Sequence, residues 1–165
     1  DAMITDKAKK LFETNHVYSH TELEARHEIE LEKYLKKVQI EARIMGDLAL
    51  NHIIPTAIKY QNELVSNING LKAVGLPETS YSSQLAILNE VTAHVHVIYT
   101  KVNELVEARK VANSIESTRE RAIAYCSQIK DVYFDEIRYH VDKLEQLVDD
   151  EQWSLPKYRE LLFLR

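Results

Sequence analysis

Glycine and proline are scarce in this chain of 165 residues, at three each. A sheet-rich fold of this length needs many tight turns, and those two residues supply them. Their scarcity argues against many short strands and for a few long elements. Cysteine is scarcer still. Cys126 stands alone, which excludes an intrachain disulfide framework and fits a reducing compartment. No apolar run approaches the ~18 residues of a membrane-spanning helix. A basic excess is missing too: 21 Lys and Arg against 26 Asp and Glu leave a net charge of −5. A surface that tracks nucleic-acid phosphates is therefore not expected. What is present is ordinary for one globular domain, 45% apolar and 28% charged, long enough to bury a sizeable core.

The pattern along the chain is helical throughout. Asp1-Ala2-Met3 has neither a basic nor an apolar leader, and Ile4, Ala8, Leu11 and Phe12 trace a short helix that stops at Asn15. Residues 1–18 read as the tail of an upstream region and residues 19–165 as a helical bundle domain. Ser19-His20-Thr21-Glu22 has the form of a capping box. A helix is expected from there to about Asn69, with Leu31, Leu35, Val38, Ala42, Met45 and Ala49 as its apolar stripe. Pro55 removes a backbone donor and predicts a kink near Asn51. The segment from Asn69-Gly70 to Pro77 reads as a loop. A second helix carries Leu85, Leu88, Val95, Tyr99, Val102 and Val106. A third pattern, behind a possible capping box at Ser117, carries Ala122, Cys126, Ile129, Tyr133, Ile137, Val141, Leu144 and Val148 and reads either as one helix or as two abutting near Asp131. The expected fold is all-α: a bundle of three long antiparallel helices, the first kinked near Pro55, with short helices at both ends. The apolar tail from Leu155 to Phe163 is expected to fold back, with Trp153 as its anchor.

Catalytic constellations are hard to assemble from these residues. A di-iron bundle needs Glu-x-x-His on two helices, and the chain has one such motif, Glu24-Ala25-Arg26-His27. Glu136 and His140 are four apart. His94 and His96 point about 200° from each other on a helix and cannot share a metal. Cys126 lies on an apolar stripe and reads as a small core thiol, not as a nucleophile. Isolated Gly46, Gly70 and Gly75 cannot form a phosphate-binding loop. No catalytic, cofactor-binding or metal-binding residue is assigned. Two alternatives stay open, a free-standing helical adaptor or scaffold and a di-metal carboxylate bundle.

Several stretches nevertheless form an ordered set. They are Leu11-Phe12-Glu13, Tyr18 through Arg26, Ile40-Glu41-Ala42-Arg43 and Ile53-Ile54-Pro55. Later come Val106 through Lys110, Phe134 to Val148 with Asp149-Asp150, and Trp153 through Leu161. In this order the chain resembles the C-terminal region of type III glutamine synthetases. The resemblance implies a cytoplasmic, homo-oligomeric ligase that joins ammonia to glutamate with ATP and Mg or Mn. It places the catalytic residues in a preceding region, so this chain would itself be inactive. Its implied partners are that catalytic region and neighbouring subunits, with neither nucleic acid nor membrane.

The best candidate for contact is the middle of the first long helix. Val38, Ala42, Met45 and Ala49 supply the face that a bundle needs. Ile40, Ile44 and Leu48 form a second apolar ridge, continued by Ile54 and Ile58 beyond Pro55. A helix that is apolar nearly all round must be covered on more than one side. These five residues are the candidate interface.

Overall fold

Caps decide where the helices begin and end. The computed structural model describes residues 2–163, Tyr158 by its backbone alone. Asp1, Leu164 and Arg165, the outer ends of the two expected units, lie outside the described residues. After a 3₁₀ turn at Ala2–Ile4, helix α1 spans Asp6–Thr14. It stops because His16 adopts a left-handed conformation, φ 52°. The His16 amide donates to Glu13 O and that of Val17 to Phe12 O, a closure usually built on glycine. The capping box then forms as read. Ser19 N–H donates to Glu22 Oε2 at 2.8 Å, and Glu22 N–H donates to Ser19 Oγ at 3.3 Å. These bonds, the backbone one foremost, hold the Glu22 carboxyl below its ordinary pKa.

Helix α2 runs His20–Leu48, a π-helical segment follows at Ala49–Ile53, and α3 continues at Ile54–Ala73. At the expected kink the backbone therefore widens its turn. The Ile54 N–H bonds Ala49 O, five residues back. Pro55, in the first turn of α3, has no N–H to place in either ladder. The loop expected from Asn69 starts only after Ala73. Gly75 (φ 80°) ends α3, its amide donating to Lys72 O and that of Leu76 to Leu71 O. A 3₁₀ turn at Glu78–Ser80 leads into α4, Ser82–Asn113. Helix α5 spans Thr118–Ala124, with the Ser117 hydroxyl accepting from Glu120 N–H. A second π segment covers Tyr125–Phe134, α6 spans Asp135–Leu147 and α7 spans Tyr158–Leu162. The chain is all-α, without a strand among the described residues. The first and third of the expected long helices are each divided by a π segment.

The core spacing explains those divisions. Leu35, Gly46, Ala57 and Ile68 are buried and recur every eleven residues, as do buried Ala42, Ile53 and Leu64. Eleven residues over three turns is ~3.67 per turn, slightly more than an α-helix provides. Tyr125, Ile129, Tyr133, Ile137 and Val141 follow one another by fours, and all lie in or against the core. A run of fours overshoots ~3.6 residues per turn and is held on one face by the wider π turn. Helix α4 differs. Val91, Ile98, Leu105 and Ala112 are buried at seven-residue spacing with Val102 between them, and α4 has no π segment. Leu85 and Val106 on the expected α4 stripe are half-buried, and Tyr99 is 55% exposed.

Cross-helix pairs fix the directions. Gln39 donates to Asn113 and Gln61 to Thr92, so the α2–α3 stretch runs against α4. Tyr125 donates to Asn113 and Lys101 pairs with Glu136, so α6 also runs against α4. The tail docks only in part. Trp153 is buried and Leu155 half-buried against the core. Lys157 is buried as well, its Nζ donating to Glu145 O at 2.7 Å and Val148 O at 3.3 Å. It thereby satisfies carbonyls at the end of α6. Asp150 accepts from both Lys157 and Arg159, and the Lys157 bond foremost lowers its pKa. Beyond this clamp Leu161, Leu162 and Phe163 are exposed.

Candidate functional site

The five ridge residues do not share one surface. Ile40 and Ile44 are 57% and 52% exposed, Leu48 is half-buried and Ile58 is 44% exposed. Ile54 belongs to the core cluster at 8% exposure. The π segment between Leu48 and Ile54 is the reason. Its wide turn advances the chain by about one residue relative to an α-helix, a phase change of ~100°. The ridge therefore does not continue straight across it.

Ile44 and Leu48 instead form one wall of a groove of ≈ 430 Å³, with Met45 and Ile53 beside them. The opposite wall is Phe134, Ile137 and Val141, and Leu155 from the tail closes one side. Both π segments reach this groove, one through Ile53 and the other through Phe134. Charge enters through Glu41 and Arg138. Arg138 also faces Asp142, Nε to Oδ2 at 3.7 Å. Ile40 extends the apolar surface beside the groove, among Lys36, Gln39 and Arg43. Such a site is lined almost wholly by hydrocarbon and has no nucleophile. It is suited to receiving apolar side chains and not to acid–base chemistry.

The residues weighed for metal or nucleophilic chemistry are scattered. Glu24 accepts a hydrogen bond from Lys9 Nζ at 2.8 Å, which lowers its pKa, and lies 3.5 Å from His20 Nδ1. Among the described residues, no three His, Cys, Asp or Glu side chains converge as a metal cage. Cys126 is half-buried, its Sγ 3.9 Å from Asp131 Oδ2. Burial, followed by Cys126, pushes the nearby Tyr34 phenol up to about 12. One pair escaped the sequence reading. His94 Nδ1 lies 2.7 Å from His140 Nδ1, across α4 and α6. Burial lowers the His140 pKa and His94 adds to this, against the opposing charge of Glu136. Forty-six residues separate the two histidines, and local spacing carries no signal for such a pair. The groove was half-legible: Ile44 and Leu48 were singled out, whereas Phe134 and Leu155 needed the tertiary fold.

The comparisons with known proteins agree with one another. Residues 1–72, which contain the ridge, match the family model described as the glutamine synthetase C-terminal domain. The chain is 46% identical over 153 residues to a glutamine synthetase of Bacteroides fragilis, covering 90% of this chain and 21% of the relative. It is 32% identical over 167 residues to a type-3 glutamine synthetase of Dictyostelium discoideum, covering 98% and 22%. To a glutamine synthetase of Butyrivibrio fibrisolvens it is 26% identical over 160 residues, covering 97% and 23%. The chain spans about a fifth of the length of the curated relatives it matches.

Proposed function

We propose that this chain, which belongs to the glutamine synthetase C-terminal family, is the non-catalytic helical domain of a type III glutamine synthetase and serves its assembly. The enzyme would be a cytoplasmic homo-oligomer that ligates ammonia to glutamate with ATP and Mg or Mn. The chain's own residues do not fit those groups. They converge on no hard-cation cage among the described residues and supply no glycine-rich phosphate loop. No step of the ligation is routed through them. In this reading residues 1–18 lead in from the catalytic region, and residues 19–165 form a bundle of three antiparallel rods. The observation that carries the proposal is the apolar groove beside exposed Ile40 and Ile44. It would receive the catalytic region or a neighbouring subunit as a core-like interface. Burial of one Ile or Leu is worth ~1.5–3 kcal/mol, so a few such contacts bear on assembly.

Ile44→Asp tests this in the full enzyme. Light scattering is expected to show a loss of assembled enzyme. Circular dichroism of the 165-residue chain should show folding changed by no more than ~0.5 kcal/mol, as for an exposed site. Unchanged assembly with Ile44→Asp and Leu48→Asp would overturn the interface.

A further inference from the structure

We propose that His94 and His140 form a proton-operated latch between α4 and α6, closed while the pair is neutral or holds one extra proton and opened by a second. The contact is a head-on hydrogen bond, Nδ1 to Nδ1 at 2.7 Å, with ring centroids 5.0 Å apart. Only one hydrogen fits in that gap, so one Nδ1 must donate while the other accepts. His94 is largely enclosed, with 13% of its side chain exposed, which leaves little room for water to replace its partner. The groups around the pair decide where its protons sit. On α4, Glu90 Oε1 lies 3.9 Å from His94 Nε2 and favours a proton there, making His94 Nδ1 the acceptor. On α6, Glu136 bears on His140 and is itself 3.5 Å from Lys101 Nζ of α4. Tyr139 meets His140 edge-on at 5.2 Å between centroids, with Lys143 Nζ 5.6 Å from the tyrosine ring. Helix α3 meets this stretch of α4 through an uncharged pair, Gln61 to Thr92 at 2.7 Å.

Three charge states follow. In the neutral pair the protons are on His94 Nε2 and His140 Nδ1, and the latter makes the bond. A first added proton enters at His140 Nε2. The bridging proton is then shared by the two Nδ1 atoms, and the bond becomes charge-assisted. A second added proton has only an Nδ1 left to occupy. It sets two N–H groups head-on and puts like charges on facing rings, so the rings must part. The pair therefore titrates in two coupled steps. Burial, and then the charge of His94, lower the His140 pKa against Glu136 in the same sense. The unfolded chain accepts both protons near ~6.5, whereas the folded pair resists the second. The stability tied to that proton is complete above ~6.5 and is lost as the pH falls toward the lower, folded value. Val141, next to His140, lines the apolar groove, so release of the latch would move that wall. This last consequence rests on the groove being an interface, and the latch itself does not.

Proton NMR of the 165-residue chain tests the latch, following the assigned Cε1–H resonances of its histidines from about pH 8 to about pH 5, where imidazoles change charge. His94 and His140 are expected to titrate together in two steps, the second clearly below ~6.5. Amides of α4 and α6 should lose hydrogen-exchange protection at that second step. His140→Gln should remove the lower step and leave His94 with a single one, whereas His96→Gln, at an exposed neighbour, should change neither. If His140→Gln loses its helical dichroism, the curves of the unmodified chain decide alone. Two independent single-step curves, or protection that survives the second step, would overturn the latch. Because these readings need only the isolated chain, they stand or fall apart from the groove and its role in assembly.

Discussion

Ile98 and Tyr99 are adjacent in α4 and differ wholly in what they contribute. Ile98 is fully buried, and Tyr99 is 55% exposed. Ile98→Ala deletes buried methyl groups and leaves a cavity that the helices cannot close. Urea unfolding should show a loss of ~2–5 kcal/mol. Tyr99→Ala should stay within ~0.5 kcal/mol in the same measurement. The sequence reading put Tyr99 on the buried face because four-residue steps from Val95 fit it as well as they fit Ile98 by threes. Only the neighbouring helices decide which side is covered. Asp150 gives a second test at this scale. Lys157 and Arg159 hold its folded pKa below the unfolded value, ~3.9. Its contribution is therefore complete above about pH 4 and disappears as the pH falls through the lower, folded value. Trp153, the sole tryptophan, reports it. An acid-induced change in its emission should begin below about pH 4, and Asp150→Asn should remove that step. An identical pH profile in the variant would deny the clamp its role.

At the scale of elements, local signals were read well and long-range ones were not. Ser19, Glu22 and Gly75 are punctuation that acts within five residues, and the structure uses all three. The breaks near Asn51 and Asp131 were read but not their π character, although the second has a signal in the consecutive steps of four from Tyr125 to Val141. Such a run was taken for an ordinary alternation of fours and threes. The tail shows the same limit. Its apolar content predicted docking throughout, but Leu161, Leu162 and Phe163 are exposed, and the deepest polar contact is that of Lys157, whose buried ammonium caps α6. Truncation after Lys157 should therefore leave the melting temperature nearly unchanged. Truncation after Asp150 removes Trp153, Leu155 and Lys157 and should cost several kcal/mol, since each buried apolar side chain contributes ~1.5–3. Thermal denaturation of the two truncations separates these outcomes. Equal melting temperatures would place the anchor elsewhere.

For the whole molecule, the groove and the absence of converging catalytic groups among the described residues lead to one expectation. Titration of the 165-residue chain with ATP and Mg²⁺ should give no micromolar site, whereas under the proposed reading the full enzyme should give one. A micromolar site on this chain would overturn its non-catalytic assignment. The groove was legible only on one wall, because Ile44 and Leu48 share a helix face. Its other wall comes from residues about ninety positions later and depends on the antiparallel return through α4.

The π segment at Ala49–Ile53 also bears on which changes of chain length the molecule survives. A wide turn holds about one residue more than an α turn, so the helix there stores an insertion. Removing exposed Asn51 would let the segment close as ordinary α-helix while Ala42, Ala57 and Leu64 keep facing inward. The same deletion at Asn103, in the uninterrupted α4, has no slack to draw on. It would swing everything after it by ~100° and carry Leu105 and Ala112 out of the core. Of two single-residue deletions in long helices, one should leave a folded protein and the other should not.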